Sequence, residues 1–515
     1  MPAALDRALL AFWLAAAWAG LVLYGPYHLD ELGQITAFSL HKLGLQPVVD
    51  MPWEFAAQMR PWLQPAVYAG LMRPVLAAVG YHYPTMERLT VLTQLPLVTA
   101  ALVMMARVAQ APSAPLRPEM WRLGRWTLLA WFFLPSMLMR HSSEAWSTCL
   151  LVIALGLWHR GATARDTSMI VAGFVAGLAF WVRFQLGLFL APFWLMLVAD
   201  AARARQEREL RRLACFALGT LLAVALNIGI DAWGYGTVVV TPLRYVEENL
   251  FAGRASQYGR EPVWFYVPVL TLRSLNPLIW GWLALAMWLG RRDPFRRALS
   301  VGVVVFVLVH SVIAHKEERF LIPMAGPAAL LLLAMFAELA SRVPNPLERW
   351  LVHKRVVGVI ALAGAVAMLG HSAIGLVKDR YRIERSFWDL PAGTRVLSET
   401  NLFGRFDAVF AGVAGPDDDF VRLFLRAPGV RYELVRAGER HDACAADPSA
   451  LVLLTTTDVP RDMPNPVDLP ISAVAAFPAP VVGEVFGGMS WYRRTWRFRL
   501  VRCADYMASG QAFAR

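Results

Sequence analysis

Long stretches of this chain carry almost no charge, and that pattern limits the fold more than any other feature. Apolar runs occupy residues 8–24, 88–106, 126–139, 145–158, 168–182, 184–199, 213–230, 264–289, 298–314, 321–340 and 356–376. Inside a bilayer no water satisfies backbone N–H and C=O groups, so such runs become helices there. A perpendicular span needs about 20 residues. Several runs are shorter, which fits short helices paired in hairpins around a cavity. Residues 62–79 are either a further span or a helix lying along the interface. The first run, Ala8–Tyr24, follows only Arg7 and lacks a small-x-small cleavage pattern, so it reads as a retained span. The expected fold is an all-α polytopic membrane protein with about eleven transmembrane helices.

Composition agrees: 57% of residues are hydrophobic and 17% charged, with a mean hydropathy of +0.45. Those values exclude a soluble globular domain. Twenty tryptophans suit an interfacial aromatic belt. The net charge of +12 does not indicate nucleic acid, because the basic residues sit in short clusters between apolar runs. Arg107, Arg117, Arg122 and Arg125 form one cluster, Arg160 and Arg165 the next, and residues 203–212 a third. Arg291, Arg292, Arg296 and Arg297 follow, then Arg342, Arg349, Lys354 and Arg355. Alternate connections are poorer in basic residues, so the rich set is assigned to the cytoplasm. The N-terminus is then inside and the tail after about residue 377 outside. This divides the chain into a membrane domain, 1–377, and an extracytoplasmic domain, 378–515.

With that orientation every chemically suggestive segment falls on the outer side. These are His28 to Glu31, Trp53-Glu54-Phe55 with Arg60, Arg140 to Glu144, Arg183-Phe184-Gln185, the connection 231–266 and the charged stretch 315–320. A carrier would place polar residues mid-span and on both faces, and would show an internal repeat. Convergence on one face instead suits an enzyme working at the outer membrane surface.

His315-Lys316-Glu317-Glu318-Arg319-Phe320 lies where two apolar runs meet. A turn there needs only Gly, Ser or Asn, whereas ionisable groups near the membrane cost several kcal/mol each unless paired or facing a polar cavity. The cluster reads either as a site that holds an anion and positions a hydroxyl, or as an interfacial charge group that fixes topology. Asp30 and Glu31 follow the first span, where a carboxylate can deprotonate an acceptor hydroxyl or simply be solvated. Glu54 and Arg60 flank an aromatic stretch, as substrate contacts or as an ion pair bracing a loop. Arg183 sits at a hairpin apex, where a guanidinium binds phosphate in bidentate fashion or snorkels to the interface.

H-K-E-E-R-F-L-I-P at 315–323 resembles the signature of glycosyltransferase family 22, the lipid-phosphate-mannose-dependent mannosyltransferases of N-glycan and GPI-anchor assembly. His28-x-Asp30-Glu31 with Gln34 resembles the family's H-P-D-E-x-x-Q, Leu29 replacing the usual Pro. Trp53-Glu54-Phe55 with Arg60 through Pro65 resembles W-E-[WF] … R-S-x-x-x-P, with Pro61 where Ser is usual. Asp231, Tyr235-Gly236, Asn249, Tyr258-Gly259, Pro262 and Phe265-Tyr266 resemble D-x-x-x-Y-G … N … Y-G-x-x-P-x-x-[FY]-Y. Arg140 to Glu144 is a weaker match. Four motifs in order are a specific signal; they cover residues 10–340 and leave the tail out.

The resemblance implies the GT-C architecture and an inverting transfer. The donor is a polyprenyl- or dolichyl-phosphate sugar, mannose foremost, and the acceptor a hydroxyl of a glycan or glycolipid. The family's catalytic carboxylate maps onto Asp30, with Glu31 the adjacent alternative; an Asp of ordinary pKa, about 3.9, is ionised at neutral pH. The leaving lipid phosphate needs cations in a partly dry site. His315, Lys316 and Arg319 are the candidates, with Arg183 second. His28, Glu54, Arg60, Asp231, Asn249, Tyr258, Glu317 and Glu318 are candidates for binding or orienting substrate. No D-x-D suited to Mg²⁺ and no convincingly metal-spaced His/Asp/Cys set is seen, so no cofactor and no metal are expected. Partners are the lipid bilayer, the donor and the acceptor, without nucleic acid.

The tail is mixed in composition and carries Asp417-Asp418-Asp419. Residues 395–398, 451–457 and 496–502 read as strands, and 401–412 or 419–426 as helices, giving a small α/β domain with parallel or mixed strands. Cys444 and Cys503 are candidates for a disulfide outside the cytoplasm, while Cys149 and Cys215 read as packing residues. No N-x-[ST] sequon occurs. A bacterial inner membrane with the site and tail periplasmic is expected, the endoplasmic reticulum being the alternative. Two other functions stay open: another lipid-phosphate sugar donor on the same fold, and a non-enzymatic transporter of lipid-linked glycans.

Overall fold

The computed structural model describes residues 30–109, 138, 140–160, 166–273, 278–340, 359, 387–398, 429–436, 438–455 and 498–508. Helix α1 (Ala37–Lys42) continues a π-helical segment, Glu31–Thr36. It is followed by α2 (Leu63–Val79), α3 (Tyr83–Ala109), α4 (Ser143–Arg160), α5 (Asp166–Val182) and α6 (Gly187–Arg203). Next come α7 (Glu207–Tyr235), α8 (Tyr266–Arg273), α9 (Ile279–Gly290), α10 (Pro294–Val312) and α11 (Ala325–Ala340). Helices α8 and α9 fall on the run 264–289, of which residues 274–277 are outside the described residues. The runs 8–24 and 356–376 lie outside the described residues, save Val359, as does most of 126–139.

Among the described residues five helical stretches are long and apolar enough to cross a membrane: Tyr83–Met105, Phe184–Arg203, Glu207–Tyr235, Pro294–Val312 and Glu318–Met335. Asp166–Val182 and Ile279–Gly290 are shorter apolar helices. The protein is an integral membrane protein. Its described residues form two compact units. One draws on Ala57–Val67 and Thr90–His371, the other on Val22–Ala56, Tyr68–Leu89 and Ser372–Arg515.

In the first unit, α5 and α7 meet backbone to backbone. A Cβ on Gly173 would lie 1.9 Å from the Phe216 carbonyl oxygen, one on Gly219 2.0 Å from that of Ile170, and one on Gly177 2.6 Å from Ala223 Cβ. Gly173-x-x-x-Gly177 therefore faces Gly219-x-x-x-Ala223, the small-residue spacing that lets apolar helices approach closely. Thr220 Oγ1 donates to the Gly173 carbonyl across the contact at 3.1 Å. Elsewhere the core is aromatic: Phe189 stacks on Phe193 at 5.7 Å, and Trp158 meets Phe216 edge-on at 4.9 Å.

The second unit contains a four-stranded sheet, β1 (Arg395–Ser398), β2 (Arg431–Leu434), β3 (Leu451–Thr455) and β4 (Phe498–Arg502), in the order β2-β1-β3-β4. β1 is parallel to both neighbours and β3 antiparallel to β4, with Leu451 opposite Arg502. Helices α12 (Arg440–Ala446) and α13 (Cys503–Ala508) pack together, and Cys444 is bonded to Cys503 over a separation of 59 residues. The mixed sheet matches the expectation, and β1, β3 and β4 fall where the sequence suggests strands. β2 is an edge strand of four residues whose alternation is too short to read. The helices expected in 401–412 or 419–426 lie outside the described residues.

Candidate active site

The close α5–α7 packing brings two chemically important helix ends together. α5 ends at Val182, immediately before Arg183, whose backbone is extended (φ −143°, ψ 95°) and turns the chain into α6. α7 ends at Tyr235 on Gly236, which adopts the left-handed conformation (φ 75°) that favours glycine. Near that end Asp231 is fully buried and accepts three hydrogen bonds. They come from the Trp62 amide (2.8 Å), Trp181 Nε1 (2.8 Å) and Thr241 Oγ1 (2.5 Å). Trp62 in turn lies flat on Gly234, where a Cβ would come within 2.1 Å of its ring. Asp231 thus ties α5, α7 and the segment at Trp62 into one rigid frame.

Arg183 projects from that frame into a charge network. Its Nη2 lies 3.0 Å from Glu144 Oε1 and its Nη1 donates to Ser143 Oγ at 3.2 Å. Glu144 stands in the first turn of α4, which Ser142 caps by accepting from the Ala145 amide, and where the helix dipole favours an acid. The same Glu144 oxygen lies 3.4 Å from Arg319 Nη1. Arg319 also donates from Nε (2.5 Å) and Nη2 (3.2 Å) to Glu317, whose Oε1 is 3.0 Å from His315 Nε2. The Phe320 ring lies against both guanidiniums, 5.6 Å from Arg183 and 5.3 Å from Arg319. Side chains of Arg183 and Glu144 are 5% and 2% exposed, so that pair is almost dry, whereas Glu317 at 28% is half-buried.

Local backbone explains who faces whom. Glu317 is extended (φ −130°, ψ 148°), so alternate side chains point to opposite sides. His315, Glu317 and Arg319 share the network side. Lys316 points the other way, and its ammonium donates to the carbonyls of Glu261 (2.8 Å), Ile313 (2.6 Å) and Ala314 (3.5 Å). Three donors meet three backbone acceptors, and Lys316 fastens the connection at Glu261 to the end of α10. Burial lowers its pKa, and the Glu261 carboxylate opposes that shift. Glu318 begins the 3-10 turn Glu318–Met324 and is half-buried.

The other predicted residues of this unit brace the connection 231–266. Tyr235 hydroxyl donates to the Arg60 carbonyl (2.8 Å) and accepts from its amide (3.2 Å), while the Arg60 guanidinium lies 5.7 Å from the Tyr245 ring. Asn249 Nδ2 donates to the Tyr245 carbonyl at 3.0 Å. Tyr258 closes the 3-10 turn Arg254–Tyr258, and its side chain lies outside the described set.

In the second unit Asp30 is half-buried, and Glu31, 2% exposed, opens the π-helical segment. π-helical turns are rare and concentrate at functional sites. Gln34 on this segment donates to Glu54 Oε1 at 3.0 Å, and Phe55 packs edge-on against Phe38 at 5.5 Å, which fixes the turn carrying Glu54. His28 lies outside the described residues.

Sequence reasoning assigns no role to Glu144, the carboxylate shared by both arginines. Its signals in the sequence are the weak family match of Arg140 to Glu144 and the acid after a Ser-Ser helix start. Two guanidiniums held by two carboxylates, next to an imidazole, form one connected charge network. Among the described residues no group of three His, Cys, Asp or Glu is placed to hold a metal ion.

Comparisons with known proteins give the family and the fold. The chain is 26% identical to GPI mannosyltransferase 3 of Drosophila melanogaster over 286 residues, 53% of this chain and 46% of that protein. Human alpha-1,2-mannosyltransferase ALG9 is 27% identical over 302 residues, 57% and 44% of the two chains. An undecaprenyl phosphate-alpha-4-amino-4-deoxy-L-arabinose arabinosyl transferase of Sodalis glossinidius is 32% identical over 198 residues, 35% of this chain and 32% of that one. The chain spans less than half the length of each of these relatives. The crystal structure of ArnT from Cupriavidus metallidurans bound to undecaprenyl phosphate superposes with a TM-score of 0.56 at 14% identity. It covers 88% of this chain and 93% of that one, so the fold is the GT-C fold. Residues 8–381 match the Alg9-like mannosyltransferase family as a whole. The chain belongs to the Alg9-like mannosyltransferase family.

Proposed function

We propose that this protein is an inverting glycosyltransferase that moves a sugar, mannose first, from a polyprenyl- or dolichyl-phosphate donor to a hydroxyl of a glycan or glycolipid. The observation that carries this reading is the Arg183–Glu144–Arg319–Glu317 network, built on the buried Arg183–Glu144 pair, beside which a lipid phosphate finds two preorganised guanidiniums. The acceptor oxygen attacks the anomeric carbon from the face opposite the phosphate. Asp30 takes the hydroxyl proton, the glycosidic C–O bond forms, and the sugar–phosphate C–O bond breaks. The electron pair stays on the lipid phosphate, which leaves with a second negative charge that Arg183 and Arg319 stabilise. Asp231 and Lys316 hold the frame and the adjoining connection. The arginines supply the positive charge, and we propose that no metal is required. The site and the C-terminal domain, taken as 378–515, face the outside of a bacterial inner membrane.

A second reading keeps the chemistry and changes the sugar, and the identity to the Sodalis arabinosyl transferase favours it. Both readings are tested by one experiment. Purified protein is given either synthetic polyprenyl-phosphate mannose or polyprenyl-phosphate aminoarabinose, together with membrane glycolipid acceptors, with wild type beside Asp30→Asn and with or without EDTA. Mannosylated product from wild type alone, unaffected by EDTA, is expected. Full turnover by Asp30→Asn would remove Asp30 as base, and loss of product in EDTA would refute metal independence. Product only from polyprenyl-phosphate aminoarabinose would establish the second reading.

A further inference from the structure

Tyr266 is the first residue of α8, which packs against the turn Glu318–Met324 carrying Arg319. Its side chain is 1% exposed, and its hydroxyl has no hydrogen-bond partner among the described residues. The ring is fixed edge-on against Phe265 at 5.3 Å. Gln94 Oε1 and Asn227 Oδ1 are also buried without a partner, but each of those amides already donates from its nitrogen to a backbone carbonyl. Tyr266 has one polar atom, and it is unused. A dry, unsatisfied hydroxyl costs free energy that phenylalanine would avoid. The Arg183 guanidinium and the Glu317 carboxylate both lie close enough to act on the phenol electrostatically. The hydroxyl therefore stands inside the field of the arginine network with its donor capacity unspent.

We propose that the Tyr266 hydroxyl donates a hydrogen bond to a phosphate oxygen of the lipid-phosphate donor, forming a three-point anion site with Arg183 and Arg319. This rests on the reading of the network as the donor-phosphate site. A neutral third donor suits the place: it binds an anionic oxygen without unbalancing charges that are already paired. Its hydrogen bond also strengthens as the phosphate gains its second charge.

The test uses the full chain in nanodiscs, wild type and Tyr266→Phe. Thermal unfolding is followed without ligand, and binding is titrated with polyprenyl monophosphate, polyprenol and inorganic phosphate. Phenylalanine fills the same space, so Tyr266→Phe should unfold at the wild-type midpoint or above it. It should bind polyprenyl monophosphate about 10- to 100-fold more weakly, the factor that one hydrogen bond to a charged group carries, with polyprenol binding unchanged. A lowered midpoint with full affinity would make Tyr266 a packing residue and overturn the proposal. Equal affinity of wild type for inorganic phosphate would overturn the lipid as the ligand. If wild type bound no polyprenyl monophosphate, the reading of the whole network would fall. If wild type bound it and Tyr266→Phe bound it equally, the role of Tyr266 alone would fall.

Discussion

Glu144→Gln keeps the shape of the side chain and deletes the charge that Arg183 and Arg319 share. Arg319 keeps Glu317, whereas among the described residues Glu144 is the carboxylate on which Arg183 depends. Opposite charges about 4 Å apart attract by about 4 kcal/mol at an effective dielectric near 20. Removing one partner of a buried pair costs about 3–5 kcal/mol, because the other charge stays uncompensated. Exposures of 5% and 2% leave water little room to repay that loss. Glu144→Gln should therefore unfold several degrees below wild type. A lipid phosphate docking on the same arginines supplies the missing negative charge, so it should restore much of the difference. At about 100 times its dissociation constant a ligand adds about 2.7 kcal/mol to wild type. The mutant should gain more at the same concentration. The assay is thermal unfolding of both proteins in detergent, with and without polyprenyl monophosphate. Wild-type stability in Glu144→Gln would show that Glu144 does not neutralise the arginines. A ligand-induced shift no larger than that of wild type would show that the anion binds elsewhere.

Lys316→Ala removes three N–H···O=C bonds that fasten Glu261 to the end of α10, so hydrogen exchange should rise across 254–265 and stay unchanged in α5 and α7. Unchanged exchange in 254–265 would remove Lys316 as a brace. Opening the Cys444–Cys503 bridge with reductant, or by Cys444→Ser with Cys503→Ser, frees a loop of 59 residues. On the chain-entropy estimate this costs the C-terminal sheet about 4 kcal/mol; an unfolding midpoint indifferent to reductant would refute it.

Much of the frame is readable before any coordinates. The apolar runs 168–182 and 213–230 are readable as helices and β1, β3 and β4 as strands, whereas the close approach of Gly173-x-x-x-Gly177 to Gly219-x-x-x-Ala223 is a finding of the structure. The division of labour inside 315–319 is not readable, because Lys316 and Arg319 look alike as cations in a string. The extended backbone at Glu317 separates them, sending Lys316 to backbone carbonyls and Arg319 to carboxylates. Glu144 is harder still. An acid in a helix's first turn is ordinarily solvated, and its Arg319 partner lies 175 residues away. Only the packing of α4 against the turn Glu318–Met324, sealed by Thr148 Oγ1 on the Ile322 carbonyl at 3.2 Å, brings the two together.

That pairing has a consequence for turnover. Arg183 and Arg319 are balanced by Glu144 and Glu317 before any ligand arrives, as burial at this depth requires. A balanced site attracts a phosphodiester carrying one negative charge only moderately. On the proposed function, the same fixed guanidiniums respond more strongly as the second charge develops, which lowers the barrier rather than the ground state. On the same proposed function, Glu144 also repels the finished lipid phosphate, whose two charges would otherwise hold it on the arginines. Deleting the Glu144 charge should therefore tighten product binding while slowing release, so that affinity for lipid phosphate rises as steady-state transfer falls. A network that served only to fix helix topology would move neither quantity in that opposed way.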